Sequence, residues 1–218
     1  ATSTSEDFLG ELNGILDRIS IEPINLPSYS PKVLEPWSYS HPYLREMRGI
    51  DLDSSSKLQI GFDPADNRIV FPHYWKGSLV GWQKRAIPAG PGWPGTVPDY
   101  PKYKNSTSFP KSGTLYGFHL IDPAKPVIVV ESPMSVAKSV ALGIPNVVAT
   151  FGSKVSKSQI NLLKDFDRVV IWFDDDPAGQ SGERKLVTGL SGHPNVVVVE
   201  PDSGRDLGDC TSPDEVAA

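Results

Sequence analysis

PVIVVESPMSVAKS, from Pro126 to Ser139, is followed about forty residues later by VVIWFDDDPAG, from Val169 to Gly179. Each stretch is a short apolar run that ends in acid: Glu131 closes the first, and Asp174, Asp175 and Asp176 close the second. Two further β-branched runs, Val147 to Thr150 and Val196 to Val199, share the lack of polar alternation expected of strands buried on both faces. Helical patterns lie between them. Ser132 to Leu142 has Pro133 at its first turn and Gly143 just past its end. Ser156 to Leu163 opens with the Ser156 and Gln159 spacing of a capping box. Ala178 to Leu190 stops at a Ser-Gly pair. The order βαβαβαβ predicts a parallel sheet with right-handed crossovers.

In such a sheet the residues just past the carboxyl ends of neighbouring strands meet on one rim. Glu131 and the Asp-x-Asp pair Asp174 and Asp176 would converge there as a carboxylate cluster, the donor set of a hard divalent cation. Period-two alternation assigns Asp174 and Asp176 to the metal and turns Asp175 toward solvent. Pro177-Ala178-Gly179 then leads into a helix with small residues that let backbone approach a ligand. A triple Asp by itself reads as a solvated turn; two acidic strand ends in one sheet favour the metal.

Here the chain resembles the Toprim domain, shared by bacterial-type DnaG primases, topoisomerases and some nucleases. The resemblance covers roughly Pro126 to Glu215 and implies that Glu131, Asp174 and Asp176 serve divalent metal. EPDSGRDLGDCTSPDE, Glu200 to Glu215, is similar to a primase stretch in which Asp206 matches a further acidic position. Ser135 stands where primases commonly have aspartate, and Asp209 falls one position late for an Asp-x-Asp repeat.

Upstream, HPYLREMRGIDLDSSSKLQIGFDPADNRIVFPHYWKGSLVGWQKRAI (His41 to Ile87) and PKYKNSTSFPKSGTLYG (Pro101 to Gly117) resemble the primase amino-terminal core. Topoisomerases and Toprim nucleases are not expected to carry these blocks. The resemblance implies three regions: a helix and tether over 1–36, a smaller mixed α+β basic subdomain over 37–120, and a Toprim metal-binding subdomain over 121–218. It implies a DNA primase core: a nucleotidyltransferase making RNA primers on single-stranded DNA from ribonucleoside triphosphates, with Mg2+ or Mn2+. A replicative helicase and a separate zinc-binding domain are partners it implies, as viral replication systems split such parts. A Toprim nuclease and a degenerate replisome adaptor are the alternatives.

Charge agrees with that reading. Arg68 to Lys111 holds seven basic residues and one acid, a balance of +6, whereas Ile121 onward holds nine basic and fourteen acidic residues, a balance of −5. A basic region facing an acidic one suits phosphate backbones and metal-bound triphosphates. Arg85 and Lys102 are the leading candidates for nucleic acid or triphosphate, with Arg68, Lys84, Asn105 and Lys111 beside them. Tyr103 reads as an open aromatic able to stack bases, and Trp82 as core. One cysteine, Cys210, leaves no disulfide and no cysteine-based zinc site, which fits a reducing cytoplasm. The four histidines lack ligand spacing. No run approaches the ~20 apolar residues of a membrane span. Phe8 to Ile19 has helical spacing, and Ala86 to Thr96 reads as a Pro/Gly-rich loop between the two matched blocks.

Overall fold

The computed structural model describes residues 26–96, 101–200 and 206–217; the expected helix over Phe8 to Ile19 lies outside them. Two four-stranded sheets organise the chain. The first is an antiparallel meander of β1 (Gly61–Asp63), β2 (Arg68–Trp75), β3 (Ser78–Ala86) and β4 (Tyr103–Asn105). Lys76 and Gly77 turn β2 into β3 with φ of 47° and 82°, the paired left-handed residues of a tight hairpin. A register shift at His73/Tyr74 bends the ribbon. Two short helices, α1 (Pro42–Arg48) and α2 (Leu52–Lys57), precede this sheet.

The second sheet is parallel, in the order β6-β5-β7-β8, from β5 (Val127–Val130), β6 (Val147–Ala149), β7 (Val169–Ile171) and β8 (Val196–Val198). Helices α3 (Pro133–Ala141), α4 (Lys157–Leu163) and α5 (Pro177–Gly189) connect the strands in turn. The predicted caps form. Ser132 accepts from Ser135 N–H, and Ser156 and Gln159 make a full capping box. Gly143 takes φ 70° after α3. The βαβαβαβ reading of the Toprim-type sheet is thus observed.

The strands are shorter than the apolar runs. β7 ends at Ile171, and Trp172 and Phe173 are buried beyond it. β8 corrects the expectation of burial on both faces, since it is the sheet's edge and Val197 is 37% exposed. A short helix, α6 (Asp214–Ala217), follows the 3₁₀ turn Leu207–Asp209.

The two sheets share one core. Leu44, Ile69, Phe71, Tyr116, Met134 and Phe151 belong to a single buried cluster drawn from both. Tyr116 exchanges two backbone hydrogen bonds with Ala149 (2.9 and 3.0 Å), so residues before β5 lie along the outer side of β6. Buried Gln159 adds a second tie. Its amide donates to the carbonyls of Lys111, Thr114 and Thr150 at 2.9, 3.0 and 3.0 Å. Among the described residues no helix is long and apolar enough to cross a membrane.

Candidate metal centre and its basic wall

Glu131 follows β5 directly, and its Oε1 accepts from the Asp174 backbone N–H at 3.3 Å. The end of β5 is thereby tied to the end of β7. Asp176 is the N-cap of α5, and its Oδ1 accepts from Ala178 N–H (2.9 Å) and Gly179 N–H (2.7 Å). Pro177 occupies the first turn, where a missing N–H costs nothing. Gly179 is required by contact: a Cβ there would stand 2.0 Å from the Asp174 carbonyl oxygen and 2.7 Å from Glu131 Oε1. Asp175 is exposed and accepts from the Gln180 amide at 3.1 Å, on the solvent side as expected.

Asp206 arrives from the 3₁₀ turn Leu207–Asp209, which is anchored beside α3 by fully buried Leu207. Its carboxyl meets that of Asp174. Asp206 Oδ1 is buried without a hydrogen-bond partner among the described residues. Asp209, the displaced acid, is held instead by Arg48 Nη1 at 3.2 Å, and Arg48 Nε donates to the Tyr43 hydroxyl at 2.9 Å. Ser135 Oγ lies 3.0 Å from Ser132 Oγ.

Burial, followed by the neighbouring Asp174 charge, pushes Glu131 up to about 7, with Asp176 and Asp206 adding to it. Burial and the contact with Asp206 push Asp174 up to about 6, while Lys102 opposes the shift. Among the described residues no three His, Cys, Asp or Glu side chains stand together in an arrangement that could hold a metal ion. The donor set nonetheless fits a hard cation. It is all oxygen, two of its carboxyls are held above their ordinary range, and one oxygen is buried without a donor.

Opposite the acids stands the first sheet. A cleft of ≈ 60 Å³ has Lys102 and Tyr103 on one wall and Glu131, Asp174 and Gly152 on the other. Lys102 is exposed and close enough to Asp174 to act on it. Lys111 Nζ lies 3.5 Å from where a Gly152 Cβ would be. Asn105 is exposed, and its Oδ1 accepts from the Gln83 amide at 3.0 Å.

Three other basic candidates are used internally. Arg68 is fully buried, donating to the Lys102 carbonyl at 3.3 Å with Asp66 beside it at 3.4 Å. Lys84 lies on the opposite face of β3, bound to Asp63 at 2.5 Å and stacked over Trp37. Arg85 is only 8% exposed and donates to the Tyr103 hydroxyl at 3.4 Å. Arg68 and Lys84 are thus taken up by the acids that precede the basic block, whereas Arg85 shares its face of β3 with Gln83, which lines the cleft.

Tyr103 is also corrected. Its hydroxyl points inward to Ser132 and Arg85, and burial raises its pKa. Ser132 and Arg48 are site-shaping residues that the sequence did not mark by role. The available signal was their place inside quoted motifs. Tyr103→Phe is expected to cost about 1 kcal/mol, one net hydrogen bond. A urea midpoint identical to the parent's would show that the link is not made in solution.

A profile of the Toprim domain matches residues 125–200. DNA primase of Geobacillus stearothermophilus is 30% identical over 161 residues, covering 70% of this chain and 25% of that protein. DNA primase of Borreliella burgdorferi is 32% identical over 178 residues, covering 78% and 32%. The chain thus spans about a quarter to a third of these relatives. In fold it resembles a DnaG primase catalytic domain solved bound to single-stranded DNA, with TM-score 0.60, 20% identity, and coverage of 93% of this chain and 74% of that one. It also resembles the primase fragment of the bacteriophage T7 primase-helicase, with TM-score 0.60, 19% identity, and coverage of 89% and 79%. In sequence the chain is thus similar to bacterial DNA primases, with a Toprim domain match over residues 125–200, and in fold it is similar to DnaG primase catalytic cores.

Proposed function

We propose that this chain is the catalytic core of a DNA primase, joining ribonucleotides into short RNA primers on single-stranded DNA. The observation that carries the reading is the opposition of the Glu131–Asp174 rim to Lys102 across one small cleft. Glu131, Asp174, Asp176 and Asp206 would hold Mg2+ or Mn2+. Asp176 has Oδ1 engaged by two N–H groups, which fixes the carboxylate's direction and leaves Oδ2 for the ion. When bound, the cation neutralises triphosphate charge and acidifies the attacking 3′-hydroxyl.

The protein's own share is positioning. Arg68 holds the Lys102 carbonyl and Arg85 donates to the Tyr103 hydroxyl, so the Lys102 ammonium is carried on a braced segment beside the acids. That ammonium orients a phosphate group and offsets carboxylate repulsion. Single-stranded template and ribonucleoside triphosphates are the ligands this reading implies. A helicase and a zinc-binding domain are its implied partners, consistent with a structural neighbour that comprises zinc-binding and RNA polymerase domains.

The deciding assay is ribonucleotide incorporation on single-stranded template with Mg2+ and with Mn2+. Primer synthesis supports the proposal. Template degradation would replace it with a nuclease, and binding without either reaction with an adaptor. Lys102→Ala is expected to reduce the salt dependence of single-strand binding by a slope of roughly 0.7, one phosphate contact. An unchanged slope would return Lys102 to the solvent-facing surface.

A further inference from the structure

The antiparallel sheet has a second face that its own elements cover only in part. Ile69 and Phe71 of β2 point into the shared core, so Val70 and Pro72 stand on the opposite face. A seven-residue 3₁₀ turn, Pro31–Trp37, lies against that face, with Trp37 packed on Trp82 of β3. Runs of that length are uncommon for a 3₁₀ helix, and this one has no buried residue: Leu34 and Trp37 are only half-buried. Beside it runs a groove of ≈ 340 Å³, lined by Leu34 and Trp37, by Leu52 and Ser56 of α2, and by Val70 and Pro72. A second hollow of ≈ 270 Å³ shares Ser40 and Leu52 with it and extends the trough to Tyr39. Leu52 is 67% exposed and Tyr39 59%. Exposed apolar side chains gathered along one trough mark a surface that another segment covers.

The chain carries a segment of matching chemistry. At 100° per residue, Phe8, Leu9, Leu12, Ile15, Leu16 and Ile19 fall within an arc of about 120°. Glu11, Asp17 and Arg18 fall outside it, as do Gly10 and Gly14. The two glycines would make a helix there weak in isolation, so its stability has to come from a surface that buries the apolar stripe. Ile19 stands seven residues before Leu26, where the described chain begins, a reach of at most about 25 Å. Tyr29 is then fixed to Leu79 by a backbone hydrogen bond of 2.9 Å, and the rim of the groove starts at Pro31. A tether this short gives an effective concentration on the order of millimolar, which favours the chain's own segment over that of a second copy.

We propose that Phe8 to Ile19 docks as an amphipathic helix in the groove between the Pro31–Trp37 turn and α2, with its apolar stripe inward. The inference goes beyond the primase reading and does not rest on it.

The test is amide hydrogen exchange of the full chain, with sedimentation at two protein concentrations. The parent is compared with Leu12→Glu, Leu52→Glu and Asp17→Lys. Leu52 is exposed enough for its replacement to leave the fold intact. In the parent, exchange over Leu9 to Ile19 is expected to be slowed at least about tenfold, the scale set by burying a single leucine, in a monomer and at both concentrations. Leu12→Glu and Leu52→Glu should each remove that protection, and Asp17→Lys, on the outward side, should keep it. A parent without protection over these residues overturns the proposal. Protection that survives Leu52→Glu puts the segment on another surface and overturns it equally. Protection that appears only with a dimer assigns the groove to a second copy and rules out docking within one chain.

Discussion

Glu131→Gln and Asp174→Asn are each expected to lower ribonucleotide incorporation by at least about 100-fold and to raise the metal-free melting temperature above pH 7. The two effects share one cause. Glu131 has its folded pKa raised from 4.5 to about 7, and Asp174 from 3.8 to about 6. Between those limits the folded chain retains protons that the unfolded chain has released. Its stability therefore falls as pH rises through the window, and the full penalty is present above pH 7. Neutral amides remove the penalty. Discounted for partial exposure, the gain is of order 1 kcal/mol, or a few degrees. At pH 4 parent and variants should melt together. The check is calorimetry in chelator from pH 4 to 8, repeated with Mg2+, which should stabilise the parent more than either variant. A parent whose metal-free melting temperature is flat from pH 5 to 8 would refute the crowded-carboxylate account.

Gly179→Ala is the second large effect. The added methyl would meet the Asp174 carbonyl oxygen at 2.0 Å and its carbon at 3.0 Å, both backbone. No rotamer relieves that, so the first turn of α5 must move away from the aspartates. The expected cost is about 3 kcal/mol, with incorporation lost because Asp176 caps the same turn. Gln180→Ala, one residue along on the exposed side, should stay within about 0.5 kcal/mol. Denaturant midpoints of the two variants provide the comparison, and equal midpoints would mean that β7 and α5 do not approach this closely.

Much of the fold was legible because it is local. The Ser132 cap, the Ser156–Gln159 capping box and the acid after each apolar run are all short-range patterns, and each appears where it was read. The basic wall was less legible. Counting charge from Arg68 left Asp63 and Asp66 just outside the window, and these are the acids that take Lys84, Lys104 and Arg68. Alternation further divides Lys84 from Arg85, but only the register of β3 against β4, with Arg85 opposite Tyr103, says which face is inward. The Arg48–Asp209 pair joins residues 161 positions apart, and no local pattern announces it. β8 reads like its neighbours because an apolar run does not say whether a strand is central or outermost.

The Tyr116–Ala149 exchange has a bearing on what the outer strand β6 leaves open to other chains. β6 is the outer strand of the parallel sheet, and an outer strand offers unpaired N–H and C=O groups to any other chain. Tyr116 occupies those of Ala149, and the Gln159 amide takes up the carbonyl of Thr150 just beyond. The residues preceding β5 thus act as a guard against strand-to-strand aggregation. A polypeptide begun at residue 121 would keep every carboxylate of the metal centre yet carry β6 uncovered, and self-association is the fate that such an edge invites.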